Sequence, residues 1–272
     1  MKRYIISLLL IGTVALSGCG GAAHVPMSQM ENHNMSSMQG KVTPTKADWT
    51  VPEKIQANQD FPISIVIKDK KGKIIPKFDR VHEKLMHMII VSKDLSYFTH
   101  IHPEYKGNGK FDITTSLPAG GDYNIITEFT PTGSEDNGVQ RHWIHVEGNP
   151  PAPVVMEPDK HMTKVIDGKK VTLEFDHIMA GMDLDMKFTI RDANTNKPIT
   201  DLEPYMGAMG HAVAISKDLK EYLHIHPMTT KKTGSSVKFM IYFPKKGVYK
   251  IWGQFQQDGK VFIAPFVVNV DM

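Results

Sequence analysis

The feature that most constrains this chain is an internal repeat. Ser92-Lys-Asp-Leu-Ser-Tyr-Phe-Thr-His-Ile-His-Pro103 returns as Ser216-Lys-Asp-Leu-Lys-Glu-Tyr-Leu-His-Ile-His-Pro227. The correspondence extends outward, Asp60 to Asp69 matching Asp183 to Asp192 and Leu117 to Phe129 matching Phe243 to Phe255. A self-similarity this long is one structural unit written twice. Two modules are therefore expected, at 49–148 and 164–272, joined by a proline-rich linker at 149–163.

Within each copy, short runs rich in Ile, Val, Phe and Tyr alternate with polar residues and are broken by Gly, Pro, Asn and Asp. The first module predicts strands at Phe61–Lys68, His87–Ser92, Tyr97–His102, Lys110–Thr115, Asp122–Phe129 and Arg141–Glu147. No helical period competes with them. The expected fold is all-β, two tandem antiparallel β-sandwiches of Ig-like or cupredoxin-like build.

The repeat also sorts the histidines. His87, His100 and His102 match His211, His224 and His226, whereas His82, His142, His145, His161 and His177 have no histidine counterpart. If Lys93 to Ser96 forms a turn, Ser92 pairs with Tyr97, which sets His102 opposite His87 and His100 opposite Ile89. In the second copy His226 then opposes His211, and His224 opposes Val213. All three imidazoles of a copy fall on one face, at the end of an apolar inner surface continued by Ile89, Val91 and Phe98, or by Val213, Ile215 and Tyr222. Neutral imidazoles crowded together make poor core filler, and a cation bound by their lone pairs resolves the difficulty. One three-histidine metal site per module is expected.

Three imidazoles with an open position suit copper or zinc. With 17 Met and 13 His in 272 residues, the chain is rich in soft ligands, which favours copper and leaves zinc as the alternative. Met86, Met206, Met209 and Met228 stand near the histidines and are further candidate ligands, with Glu83 and Glu203 as possible additional partners.

Residues 1–19 combine a basic start, Lys2 and Arg3, with an apolar stretch too short to span a bilayer, and they end in Leu16-Ser17-Gly18-Cys19. This close resembles the lipobox of bacterial lipoproteins, in which the cysteine is acylated with fatty acid such as palmitate. It implies a protein held at the outer face of the cell membrane through lipid on Cys19. Cys19 is the sole cysteine, so neither module can use a disulfide or a thiolate ligand. Residues 20–48 hold almost no branched apolar residues and read as a disordered tether, in which His24, Met27, Met30, His33, Met35 and Met38 can capture metal transiently.

The paired His and His-x-His-Pro motifs, with Ser-Lys-Asp-Leu between them, resemble those of small exported YtkA-like and cupredoxin-like sandwiches of bacterial copper-handling lipoproteins. The resemblance covers each copy and implies copper buffering, storage or delivery, with a metal-transfer protein as a possible partner. Blue-copper electron transfer is not implied, because no cysteine is available to either sandwich.

The net charge is +3 with lysines scattered along the chain, so no nucleic-acid partner is expected. The sequence shows no nucleophile elbow, phosphate loop or paired general base, so the expectation is a binding protein and not an enzyme. A zinc-binding lipoprotein feeding an importer and a metal-free protein-interaction sandwich are the alternatives.

Overall fold

The computed structural model describes residues 43–152, 154–229, 231 and 234–272. Cys19, the leader and most of the expected tether lie outside them. The described residues contain strands, turns and bends but no helix. In chain order the first module runs β1 (Thr45–Thr50), β2 (Ile55–Gln56), β3 (Phe61–Asp69), β4 (Phe78–Asp79), β5 (His87–Ser92), β6 (Phe98–Ile101), β7 (Glu104–Gly107), β8 (Lys110–Thr115), β9 (Gly121–Pro131) and β10 (Gly138–Glu147). The second runs β11 (Thr163–Ile166), β12 (Lys169–Phe175), β13 (Asp183–Asp192), β14 (His211–Ser216), β15 (Tyr222–Ile225), β16 (Ser236–Tyr242), β17 (Gly247–Gln257) and β18 (Lys260–Val270). β1 starts four residues before the expected module boundary, so Thr45 to Asp48 belong to a sheet and not to the tether.

Each module is a two-sheet sandwich. In the first, β1-β3-β8-β7 faces β2-β10-β9-β5-β6; in the second, β11-β12-β13-β16 faces β15-β14-β17-β18. Alternation explains the sheets built on β3 and β13: Phe61, Ile63, Ile65 and Ile67 point inward, as do Leu184, Met186, Phe188 and Ile190, while the residues between them are less buried. Each sandwich closes over its own core, around Phe111 and Ile65 in one and around Phe188, Phe239 and Phe255 in the other.

β5 and β14 depart from this alternation, because every residue in both is buried. Met88 and Ile90 enter the first module's core, and Ala212 and Ala214 enter the second's. The opposite face, Ile89 and Val91 with Val213 and Ile215, joins Ile126, Trp252 and Val267 in a third apolar cluster between the two modules. The histidine-bearing face therefore does not line the inside of its own sandwich, as expected from the sequence. It faces the other module, and the two sandwiches pack sheet against sheet within one compact unit.

Polar contacts seal this junction. Lys250 Nζ donates to Leu95 O at 2.7 Å, and the Arg141 guanidinium donates to Leu219 O and Lys220 O. Phe98 and Trp252 stack with centroids 4.7 Å apart and planes 17° apart. Trp252→Ala should accordingly cost about 3 to 5 kcal/mol in urea denaturation. The loss should fall on the junction, leaving the far-UV signature of both sandwiches unchanged.

Candidate metal centre

The repeated Ser-Lys-Asp-Leu segment is the turn that sets the histidine register. Ser92 Oγ donates to Asp94 Oδ1 at 2.6 Å and accepts from Tyr97 N at 2.9 Å, while Leu95 N reaches Ser92 O at 2.8 Å. Ser216, Asp218, Glu221 and Leu219 repeat these contacts at 2.6, 2.9 and 2.8 Å. Leu95 and Leu219 take left-handed conformations, with φ of 59° and 61°. The resulting ladders place Ile89 opposite His100 and Val213 opposite His224, as the spacing predicts. A slip of one residue would turn every imidazole to the other face.

Because the two faces meet, the six matched histidines form one cluster across the junction. The His87 ring lies 4.9 Å from that of His224 and 5.1 Å from that of His102, and the His100 and His224 rings are 5.3 Å apart. Three-ligand sets with donor atoms within 4.8 Å of one another are His87, His100 and His224, and His211, His224 and His226. The first crosses the module boundary. The second set is the triad expected for the second module, whereas in the first set His224 of the other module stands in place of His102, which lies beside it with its ring 4.8 Å from that of His100.

The neighbours of each ring determine which nitrogen keeps a lone pair. Val81 O lies 3.0 Å from His87 Nε2 and Tyr205 O lies 2.9 Å from His211 Nε2; a carbonyl only accepts, so both Nε2 atoms carry the proton and both Nδ1 atoms are left with lone pairs. In the cross-strand pair the sense is reversed. His224 Nδ1 donates to Glu128 Oε2 at 2.9 Å and His100 Nδ1 donates to Gln254 Oε1 at 3.2 Å, freeing their Nε2 atoms. Glu128 and Gln254 occupy equivalent places, opposite His87 and His211 on the neighbouring strands. Each thus orients a histidine of the other module.

Nitrogens of the cluster are buried without partners. His102 Nε2, His211 Nδ1, His224 Nε2 and His226 Nε2 have no hydrogen-bond partner, and His87 Nδ1 faces His100 Nε2 at 3.1 Å. With the opposite nitrogens already protonated, that last contact brings two lone pairs together. Two imidazoles on one ion with metal–nitrogen bonds of about 2.0 to 2.1 Å stand about 2.9 to 3.4 Å apart at angles between square and tetrahedral. The donor set fits a metal ion, and carbonyl, carboxylate and amide groups hold its outer nitrogens as metal-ligating histidines require.

Burial sets the electrostatics. Desolvation, then neighbouring imidazoles, pushes His100, His224 and His226 well below the usual histidine range, while desolvation lowers His102 and His211 to about 3. His87 is lowered by burial despite its hydrogen bond to Val81. The His224–Glu128 contact is consequently a hydrogen bond from a neutral ring. Burial raises the Glu128 carboxyl against the opposing pull of His87, Tyr222 and Asn137. Tyr222 Oη also donates to Glu128, at 3.1 Å.

Matching the two copies by sequence misses three partners, His82, Glu128 and Gln254. His82, in a left-handed conformation with φ of 47°, stacks on His226 at 3.7 Å and meets His211 edge-on at 5.4 Å. It has no histidine equivalent, so matching the copies discards it. Glu128 and Gln254 differ in type, which conceals their common position. Of the further candidates, Met86 and Met209 pack in the apolar cores of their own modules, which accounts for their burial without a metal. Met206 is buried in the segment preceding β14, and Met228 is 48% exposed. Glu203 accepts from Gln256 Nε2 and Gly259 N, and Glu83 is an exposed residue beside Gly207. A small cleft walled by Lys84, Leu85 and Thr130 borders His87, Glu128, His224 and His226.

Fold and site together define a duplicated β-sandwich protein with a histidine cluster at the junction of its halves. The chain belongs to the family described as "Domain of unknown function (DUF8832)", whose pattern matches twice, at residues 41–148 and 163–272. No curated protein matches it. Among solved structures it is similar to invasin, a bacterial integrin-binding protein, with 12% identity over 83% of this chain and 39% of that one and a TM-score of 0.25. It is also similar to trypsin-activated alpha-2-macroglobulin from Escherichia coli, with 10% identity over 85% of this chain and 18% of that one and a TM-score of 0.28. Domains 4 and 5 of the S-layer protein SbsC share 14% identity over 86% of this chain and 100% of that one, with a TM-score of 0.24. The chain spans well under half the length of the first two, and similarities at these scores carry no argument about function.

Proposed function

We propose that this chain is an extracytoplasmic, lipid-anchored metal-binding protein that holds copper at the junction of its two sandwiches and buffers it or hands it on. The observation that carries the reading is the convergence of buried imidazole lone pairs whose opposite nitrogens are already engaged by Val81, Tyr205, Glu128 and Gln254. An apolar junction would be more stable without these unpaired nitrogens, and a bound cation removes their cost.

Copper is favoured on two grounds. Imidazole sites bind divalent copper more tightly than zinc. Glu128 is the carboxylate hydrogen-bonded to a cluster histidine, and its side chain is largely covered, so its single negative charge balances a monovalent ion, whereas a divalent one leaves a net charge at the junction. Zinc remains the rival occupant. The lipobox-like segment supports placement outside the cytoplasm, and binding without catalysis is part of the same reading.

Metal content is the test. Full-length protein equilibrated with copper and zinc together, dialysed and assayed, should retain copper in preference to zinc. Changing His87, His100, His211 and His224 together to alanine should abolish that retention at the sandwiches. Retained zinc alone would overturn the copper assignment, and no difference between parent and variant would overturn the metal reading.

A further inference from the structure

Resting on that metal reading, we infer that the junction holds one ion at a time in either of two overlapping positions, with His224 as the ligand common to both. The first position uses His87 and His100 with His224; the second uses His211 and His226 with His224. Glu128 accepts the Nδ1 proton of His224, so Nε2, buried and without a partner, is the nitrogen left to bind. One lone pair forms one bond to one metal ion. Filling either position therefore withdraws a ligand from the other, and two cations this close would also repel each other in a medium of low dielectric.

The positions differ in which module supplies their ligands. In the first, His100 and His224 are oriented by Gln254 and Glu128, each reaching across the junction, so an ion there is held by ligands from both modules. In the second, all three ligands belong to the second module, and His82 of the first stacks over His226 at 3.7 Å. Exchange needs only the surrender of two ligands for two others around a fixed His224. Such a site can pass an ion along without ever releasing it to water, and binding in the first position ties the modules together.

Counting ions in variants separates this arrangement from two independent sites. Full-length protein is loaded with Cu(I) alone under reducing conditions, stripped of weakly held metal by dialysis against a chelator, and assayed. Differences from the parent cancel any ion held elsewhere on the chain. His100→Ala and His226→Ala should each retain the parental count, because the other position survives. His224→Ala, and His100→Ala with His226→Ala, should each lose one ion. If His224→Ala folds poorly, His224→Gln keeps an amide donor toward Glu128 and should lose the same ion. Loss of an ion in either single variant, loss of two in the double variant, or no loss at His224 would overturn the shared-ligand arrangement while leaving metal binding standing. No copper in the parent would overturn both.

Discussion

Lowering the pH of the metal-free protein below about 6.5 should weaken the folded state steeply, and the junction between the sandwiches should give way first. His100, His102, His211, His224 and His226 have folded pKa values well below 6.5, with His82 and His87 lowered by smaller amounts. The sign follows directly. Above the ordinary histidine value neither state binds a proton and the histidines leave stability unchanged; below it the unfolded chain takes up protons that the folded cluster refuses, so stability falls. The fall continues until the folded rings themselves protonate, at about 3 for His102 and His211. Each imidazole that remains neutral adds about 1.4 kcal/mol per pH unit to the slope, and several acting together approach the whole stability of a domain within one or two units.

Glu128 works in the opposite sense, because its raised pKa makes the folded state the better proton binder, but it is one group against several. Lys84 faces His87 and His102 and adds repulsion once they charge, while Glu83 offsets part of the charge at His82. The cheapest escape from this strain is separation of the modules, which hydrates the histidines while each sandwich keeps its own core. Trp252 fluorescence should therefore shift toward that of a solvent-exposed indole before far-UV dichroism changes. Bound metal should move the transition to lower pH, since protons must then displace it. A midpoint independent of pH between 7 and about 4 would mean that the histidines are not buried against one another.

The strands and their register were legible because local chemistry determines them. Alternation in Phe61–Asp69 and the Ser-Lys-Asp-Leu turn require no knowledge of the partner module, and the ladder of β5 with β6 appears as the spacing requires. What remained hidden was the surface that each histidine face meets. A strand's periodicity says that one face is buried but does not say whether a second sheet of the same sandwich or a neighbouring module covers it. The clue was present in His87–Ser92 and His211–Ser216, where apolar residues run without polar alternation, as in strands buried on both faces. The pairing of His224 with Glu128 and the stack of His82 on His226 join residues from different modules at unlike places in the repeat. Comparison of equivalent positions is blind to such contacts, because a junction between duplicated units brings non-equivalent residues together.

Glu128 is the position at which one substitution should reveal the most. Its carboxylate accepts from His224 Nδ1, from Tyr222 Oη and from Asn137 Nδ2, and its side chain is largely covered at the junction, 13% exposed. Glu128→Ala leaves these three donors without an acceptor and opens a void beside them. By analogy with breaking a buried polar pair at one end, the cost should be about 3 to 5 kcal/mol in urea denaturation. Glu128→Gln should cost much less, because Gln254 already shows that an amide at the equivalent place can accept from a histidine of the other module. The glutamine variant keeps His224 oriented but removes the negative charge, so it isolates what the charge contributes to metal binding. Copper(I) affinity should fall about 10- to 100-fold, the scale of losses when a partner of a ligating histidine is changed. Because a single negative charge attracts a divalent ion about twice as strongly as a monovalent one at the same distance, zinc affinity should fall further than copper(I) affinity in the same variant. Unchanged affinity in a folded Glu128→Gln protein would show that Glu128 supports the junction alone and takes no part in holding the ion.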